Sequence, residues 1–367
     1  MTRRASIKTS GPSMRALRSR LASVVLAPTS LAMAFTGMLG NAAQHGATAS
    51  RDAVMATATA PRRPSDASVA GPPTVPSTGA YLGVDPNYLT KTATAVQAVR
   101  FAKSVGRSAG IVSFYTGFGT VPTLWQLRTV ARERSIPMVN MKCGPSDASV
   151  AAGQYDSELR AAAVALREYG GPVFFRWFWE MNLNKSVRHE ACLGKDAGVN
   201  YIAAFRHIWT IFHQEHATNV AFVWCPSAAN GAPNRFTTLY FPGAQYVDWI
   251  GADIYDRAKV HTTFARQFAR YYHYWHTLAP GKPMIICETG AVGVTAQIGW
   301  LAQIDTDLQQ EVKGEWGTPF SAIHAVVYVD AIDINNYILQ PGTAGMAIYA
   351  AMMKQRYFSP RATWKPS

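Results

Sequence analysis

Charged residues and cysteines are both scarce in this sequence of 367 residues. Only 16% of the residues are charged, whereas 48% are hydrophobic. This balance excludes a globally disordered chain and allows a sizeable core. The four cysteines lack any zinc-ligand spacing, and the nine histidines show no metal-binding pattern. We therefore predict no metal and no other cofactor.

Beyond residue 79, the sequence also lacks any run of Lys and Arg with aromatic residues between them. The net charge is +13, but residues 1–79 carry nine Lys or Arg and only two Asp or Glu, so much of the excess lies there. Net charge alone is weak evidence for binding to nucleic acid. We predict no nucleic-acid partner.

Residues 1–43 are typical of an export signal, with a basic leader, an apolar stretch at 21–40 and small residues suited to cleavage. Arg3 and Arg4 also fit the twin-arginine route of export. The alternative is a membrane anchor formed by residues 21–40, which Pro28 and its polar neighbours disfavour. We expect a secreted protein with no stable membrane association after cleavage.

Residues 44–79 are rich in Ala, Thr, Ser and Pro. That composition cannot bury a core and is typical of a disordered linker. The folded domain is therefore expected at 80–367, which is long enough for one (β/α)8 barrel.

Eight short apolar runs alternate with amphipathic, Ala-rich segments in this domain. Such alternation predicts a parallel sheet covered by helices, and eight strands favour a closed TIM barrel. An open doubly wound sheet would be expected to have a glycine-rich phosphate loop after its first strand, and "YLGVDPNYLT" is not one. The predicted strands are 80–85, 109–115, 137–142, 173–179, 220–224, 248–255, 283–288 and 325–330.

Two carboxylates are predicted at the carboxyl ends of barrel strands, where active sites of this fold lie. Glu180 ends the fourth strand and Glu288 ends the seventh. A carboxylate pair across a pocket is the apparatus of glycoside hydrolysis. Apolar neighbours should keep Glu180 protonated, which suits an acid/base, whereas a hydroxyl from Tyr255 should keep Glu288 charged, which suits a nucleophile.

Other side chains near these strand ends suit sugar binding, because aromatic faces stack on the C–H faces of sugar rings. Each has a plainer interpretation: Trp224 as rim packing, Tyr328 as barrel filling and Arg176 as a structural charge. Arg176 lies four residues before Glu180, so on a strand both would share a face. The candidate substrate-binding residues are Tyr115, Arg176, Trp179, Asn182, Trp224, Tyr255 and Tyr328.

Several stretches resemble glycoside hydrolase family 26, within the clan of retaining (β/α)8 glycoside hydrolases. "GQYDSELRAAAVAL" (153–166) is similar to the family's Gly-x-Tyr-Asp helix start, and "PVFFRWFWEMN" to its Arg-x-x-His-Glu-Met-Asn strand. "VAFVWCPSAAN", "YVDWIGADIYD" and "KPMIICETG" resemble its fifth, sixth and seventh strands. The resemblance runs from about residue 80 to 350.

The resemblance implies a retaining β-glycanase acting on a polysaccharide of the β-mannan or β-glucan type. It implies Glu180 as acid/base, Glu288 as nucleophile and a hydrogen bond from Tyr255 to Glu288. Two departures are visible. Trp179 stands where the family has His, and the eighth strand, "AVVYVDAIDINNY", lacks the Trp that forms a sugar platform in the wider clan.

Two other classes remain open, a non-catalytic carbohydrate-binding barrel and an exported structural barrel. A binding protein derived from an enzyme would be expected to have lost one carboxylate, and a structural barrel would need neither. Polysaccharide hydrolysis is the favoured interpretation. We expect the protein to be a monomer.

The four cysteines allow three complete pairings, and export permits disulfides. Cys143 follows the third strand and Cys192 lies in the loop after the fourth, so we predict a bridge between them. Cys225 and Cys287 are expected to be free thiols. If Glu288 points into the barrel, alternation should direct Cys287 towards the helices.

Overall fold

The computed structural model describes residues 69–87, 92–183, 190–193, 196–229, 237–257, 262–309, 319–332 and 335–366. Eight parallel strands pair in chain order and close into a barrel, with β1 bonded to β8. The predicted (β/α)8 barrel is thus confirmed. Its strands are β1 Tyr81–Asp85, β2 Ile111–Thr116, β3 Ile136–Met141, β4 Val173–Trp177, β5 Val220–Trp224, β6 Trp249–Asp256, β7 Met284–Ala291 and β8 Ile323–Val329.

The α-helices carry the apolar stripes that the sequence shows, and several have side-chain caps. Thr123 and Thr263 each accept a hydrogen bond from a first-turn amide of the helix that follows. No helix in the described parts of the chain has the length and apolar character that a membrane span needs. The helices are α1 Thr94–Val105, α2 Leu124–Arg132, α3 Asp147–Ala151, α4 Asp156–Tyr169, α5 Glu190–Leu193, α6 Ala197–Gln214, α7 Phe264–Leu278, α8 Val294–Gln309 and α9 Ala344–Lys354.

Each strand is buried on both faces, so the protein has two apolar layers. The outer layer packs strand residues such as Phe222 and Ile286 against the helices. The inner layer fills the lower half of the barrel with alternate strand residues such as Ile136, Phe174 and Val223. Apolar residues on both faces explain why the strands read as nearly continuous hydrophobic runs.

Part of the predicted linker lies against the barrel. The carbonyl of Pro73 accepts a hydrogen bond from the Trp249 indole, 3.4 Å away, and the Ala70 amide donates to Gly170 at 2.8 Å. Prolines lack an N–H group, so they can cover the end of a barrel without leaving amide donors unpaired. The predicted linker boundary at residue 79 is therefore too late. The predicted signal (1–43) and residues 44–68 lie outside the described residues.

The predicted disulfide is confirmed. Cys143 and Cys192 are bonded with a Cα–Cα distance of 6.1 Å, and Cys225 and Cys287 are buried free thiols. The predicted direction of Cys287 is wrong, because its side chain belongs to the inner layer.

An irregularity in β7 explains the position of Cys287. The pairing of β6 with β7 shifts between Ala252 and Asp253, so Ala252 lies opposite Ile286 and Asp253 opposite Glu288. The skipped residue is Cys287, and alternation fails at such a bulge. A Cβ on Gly251 would lie 2.8 Å from the Sγ atoms of both Cys225 and Cys287, so the two thiols require glycine there.

Candidate active site

Arg176, on β4, is the centre of a buried polar network in the upper half of the barrel. Its side chain is fully buried. Nη1 donates to both carboxylate oxygens of Asp253 at 2.8 and 2.9 Å, and Nε donates to Oδ1 of Asn140 at 2.6 Å. Nη2 donates to Glu288. Burial alone would lower the pKa of Arg176, but the carboxylates of Asp253 and Glu288 outweigh it and raise that pKa. The guanidinium therefore stays charged.

Glu288, on β7, is held by three donors. The hydroxyl of Tyr115 donates to Oε1 at 2.6 Å, and the hydroxyl of Tyr255 donates to Oε2 at 2.6 Å. Arg176 is the third donor, on Oε1. Burial, reinforced by the charge of Glu288, raises the pKa of both tyrosines, so both stay protonated and able to donate. The predicted contact between Tyr255 and Glu288 is present, and Tyr115, which was predicted as a stacking residue, also donates its hydroxyl to Glu288.

Glu180 lies just beyond β4, in a turn with unusual backbone angles. β4 ends at Trp177, and both Phe178 (φ 44°) and Glu180 (φ 56°) have the left-handed conformation. A bulky side chain such as Phe in this region costs about 1–3 kcal/mol and is often found at functional sites. The Glu180 amide donates to the carbonyl of Cys225 at 2.8 Å, which fixes the turn against β5. Glu180 is 4% exposed.

The end of β4 at Trp177 also removes the reason for expecting Arg176 and Glu180 on the same face of a strand. Alternation applies only along a strand, and two residues, Phe178 and Trp179, lie between the strand end at Trp177 and Glu180. The carboxylates to which Arg176 donates belong to other strands, Asp253 to β6 and Glu288 to β7.

Trp179 and Asn182 belong to the same segment and have different surroundings. The Trp179 ring meets the Tyr115 ring edge-on, with centroids 5.2 Å apart, and the Arg176 guanidinium lies 5.0 Å from its centroid. Asn182 joins two loops instead: its Oδ1 accepts from the Ser227 amide at 2.8 Å and its Nδ2 donates to the Ser227 carbonyl at 2.9 Å. Trp179 faces the cavity described below, and Asn182 is almost fully buried.

Trp224 and Tyr328 are not sugar platforms, so these two predictions are wrong. Both side chains are fully buried in the outer layer, between strands and helices. The indole of Trp224 donates to the carbonyl of Tyr240 at 3.0 Å, and the hydroxyl of Tyr328 donates to the carbonyl of Tyr337 at 2.9 Å. A ring enclosed in this way has no face to offer a sugar.

A cavity of about 370 Å³ opens above the network, at the carboxyl ends of the strands. Four of its lining residues are among the predicted site residues: Tyr115, Trp179, Tyr255 and Glu288. The others were not expected from the sequence. The unexpected lining residues are Asp85, Asn87, Lys142, Val329, Ala331 and Ile332.

Asp85, the last residue of β1, adds a third carboxyl group to this cavity. It is 4% exposed, and its Oδ1 accepts from both the amide and the side chain of Asn87. Burial, together with the charge of Glu288, raises the pKa of Asp85 to about 8. Near neutral pH this carboxyl therefore carries a proton and can donate a hydrogen bond to a ligand.

Some of the site residues that the sequence analysis did not name, such as Asp253, do have a usable signal in the sequence. Asp253 lies two residues before Tyr255 on β6, so alternation places both on the inner face. Asn140 and Asp85 lie near the ends of predicted strands, but no motif distinguishes them.

Cys225, Asp253 and Cys287 are the one group in the described residues whose ligand atoms lie close enough together to hold a metal. The guanidinium of Arg176 already contacts both oxygens of Asp253 and lies 3.5 Å from Sγ of Cys225. A cation supplied by the chain thus fills the place that a metal would take, and these residues do not fit a metal centre.

Comparison with known proteins finds a matching family of glycosyl hydrolases and two relatives. A model of glycosyl hydrolase family 26 matches residues 85–275. Endoglucanase H of Acetivibrio thermocellus is 27% identical over 183 residues, which is 45% of this chain and 19% of that protein. Beta-1,3-xylanase TXYA of a Vibrio species is 26% identical over 190 residues, or 47% of this chain and 36% of that protein. This chain thus spans well under two thirds of either relative.

Solved structures of low identity share the fold. The catalytic domain of a family 26 endo-β-1,4-mannanase from Bacillus sp. JAMB-750 aligns with a TM-score of 0.57 and 17% identity, over 76% of this chain and 86% of that one. A β-mannanase from a symbiotic protist of the termite Reticulitermes speratus, complexed with gluco-manno-oligosaccharide, gives 0.53 and 16%, over 76% and 88%. The family match spans more than half of the chain and agrees with the motifs around Glu180 and Glu288, and so the chain belongs to glycosyl hydrolase family 26.

Proposed function

We propose that this chain is a secreted, retaining glycoside hydrolase that cleaves β-linked bonds within a polysaccharide. The observation that carries the proposal is the arrangement around Glu288: a carboxylate at the floor of an open cavity, held by Tyr115, Tyr255 and Arg176. The relatives support the substrate class, since their names describe an endoglucanase, a β-1,3-xylanase and β-mannanases.

In this mechanism Glu288 attacks the anomeric carbon and forms a covalent glycosyl-enzyme. Its Oε1 accepts from both Tyr115 and Arg176, whereas Oε2 accepts from Tyr255 alone. Oε2 therefore keeps more lone-pair capacity and is the oxygen that we assign to attack. The three donors fix the carboxylate before substrate arrives, so little reorganisation is needed in the transition state.

Glu180 is the proposed acid/base. It gives a proton to the departing glycosidic oxygen and later takes one from the water that attacks the intermediate. The strained turn and the bond to the Cys225 carbonyl fix its backbone just beyond the end of β4. A separation of about 5–5.5 Å between the two carboxyl groups is what a retaining enzyme requires.

The test is hydrolysis of a panel of β-1,4-mannan, mixed-linkage β-glucan and β-1,3-xylan, followed by new reducing ends. Proton NMR of the first-formed anomer then decides the stereochemistry, and a β-product is expected. An inverted product would contradict retention. Glu288→Gln should abolish release of reducing ends on every polymer, whereas Arg132→Gln, a change on the exposed face of α2, should have no effect. Binding to a polymer without any cleavage would instead indicate a carbohydrate-binding barrel.

A further inference from the structure

A second cavity of about 470 Å³ lies beside the first, between the end of β6 and the first turns of α7. Tyr255 lines both cavities, so the second one begins at a side chain that is hydrogen-bonded to Glu288. A sugar unit next to the bond being cut could therefore extend into it.

Three arginines line this second cavity: Arg257, Arg266 and Arg270. No carboxylate in the described part of the chain lies within ion-pair distance of any of them. The acidic residue among the lining residues is Asp253, and Arg176 binds both of its oxygens. Within the described residues, the positive charge of this cavity thus has no paired carboxylate.

Two of these arginines are positioned by aromatic rings. The guanidinium of Arg257 lies 5.5 Å from the centroid of Tyr255, and that of Arg270 lies 5.0 Å from the centroid of Tyr271. A guanidinium over a ring uses its face and leaves its N–H groups free for hydrogen bonds in its plane. Arg270 uses one of them, from Nη2 to the Tyr271 hydroxyl at 3.4 Å.

Grouping three like charges without a counter-charge is unfavourable unless a ligand brings the opposite sign. By contrast, Arg160 on α4 pairs with Glu215 at 2.8 Å. Planar guanidinium groups bind carboxylate and sulfate oxygens through paired, charge-assisted hydrogen bonds.

We propose that this arginine cavity is a subsite for an acidic sugar, so that the substrate is a β-glycan with carboxylate or sulfate groups beside the cleaved bond. The inference rests on the proposed glycoside hydrolase function and specifies its substrate class. A neutral polymer would leave the three charges without a partner, whereas an anionic one would pair with them.

Binding to an inactive protein tests this subsite apart from catalysis. We suggest titration calorimetry of Glu288→Gln, with Glu180→Gln as the second inactive form, using oligosaccharides of β-1,4-mannan and mixed-linkage β-glucan. Each is used neutral, oxidised to the carboxylate at C6, or sulfated at C6. One charge-assisted hydrogen bond corresponds to about tenfold in affinity, so at least one anionic form should bind about 10-fold tighter or more. That preference should shrink as salt is added.

Arginine variants link the preference to the cavity. Arg266→Gln combined with Arg270→Gln leaves only Arg257, so it should reduce the advantage of the anionic ligand and leave the affinity for the neutral ligand unchanged. Arg132→Gln is the matched control and should keep the advantage. The carboxylated and sulfated ligands distinguish the two sources of negative charge.

Equal binding of neutral and anionic ligands, or a preference that the double substitution leaves undiminished, would overturn the subsite. Cleavage assays with the wild-type protein separate this from the proposed function. If neutral polymers are cleaved and anionic ligands bind no tighter than neutral ones, the subsite proposal is refuted and the hydrolase proposal stands. If nothing is cleaved but the arginine-dependent preference remains, the hydrolase proposal fails and the acidic-glycan site stands.

Discussion

The two halves of the barrel interior are filled by different chemistry on the same eight strands. In the lower half, side chains such as Ile136, Met138 and Phe174 form a dry apolar layer. In the upper half, Arg176 and Glu288 are buried with Asp253, tyrosines and Asn140. Apolar burial stabilises a fold, whereas buried charges stabilise it little and are costly when unpaired. The difference supports the proposal that the lower half maintains the barrel and the upper half performs the chemistry.

The largest effects are expected from substitution of the two carboxylates, beginning with Glu180→Ala. Loss of general acid/base catalysis should lower kcat on polysaccharides by about 10²–10⁴-fold. Aryl glycosides with good leaving groups need little protonation, so they should still form the covalent intermediate. Azide needs no deprotonation and should restore turnover with a β-glycosyl azide as product, which NMR identifies.

Glu288→Ala is the counterpart of this experiment. Without the nucleophile, azide could enter only from the vacated face and would give the α-product. If the two variants yield the opposite products, the roles of Glu180 and Glu288 are exchanged.

A smaller effect, on both stability and activity, is expected from Arg176→Met. It leaves the carboxylates of Asp253 and Glu288 buried without their cation, which should lower the free energy of unfolding by about 3–5 kcal/mol. Chemical denaturation measures this. Activity should also fall by about 10² or more at a temperature where the variant is folded, because Glu288 loses a fixed donor.

Met138→Ala in the lower half is the comparison for Arg176→Met. Cavity formation should cost a similar amount, about 2–5 kcal/mol, and kcat of the folded protein should stay close to wild type. If Met138→Ala lowers kcat as strongly as Arg176→Met does, the division of the interior into two functions is wrong.

The smallest effect concerns pH and Asp85. Its pKa is about 8 in the folded protein, against about 3.9 for an unfolded Asp. Between these values the folded state holds a proton that the unfolded state has released. Stability should therefore fall as pH rises through this window, by at most about 1.4 kcal/mol per pH unit from this group.

Asp85→Asn removes this contribution, so the slope of unfolding free energy against pH should become shallower. It should not vanish, because burial also raises the pKa of Asp330 to about 7 and that of Asp147 to about 8. Denaturant unfolding at pH 5, 6, 7 and 8 compares the two slopes. Identical slopes would show that Asp85 is not a buried, protonated carboxyl.

The sequence predicts the barrel well because strand signals are local. Eight apolar runs, separated by amphipathic helices, give every strand to within a few residues of its observed bounds. The linker boundary is less predictable, because contacts such as that of Pro73 with Trp249 depend on residues far apart in the chain.

Side-chain direction is predictable only where the strand is regular and its inner face can be recognised. The sequence does not reveal the direction of Trp224, because β5 is apolar on both faces and its composition does not show which face is inner. It does not reveal the direction of Cys287 either, because the bulge in β7 cannot be seen in the sequence. It does predict that Tyr255 and Glu288 lie together, because neighbouring parallel strands bring their carboxyl ends to one edge.

Covalent trapping tests the assignment of Glu288 as nucleophile most directly. A 2-deoxy-2-fluoro glycoside with a good leaving group slows hydrolysis of the glycosyl-enzyme, because fluorine destabilises the oxocarbenium-like transition state. Mass spectrometry of the digested protein should find one added sugar on the peptide that contains Glu288, and Glu288→Ala should carry none. A sugar attached to Glu180 instead, or wild-type protein that hydrolyses its polymer and never becomes labelled, would contradict the account.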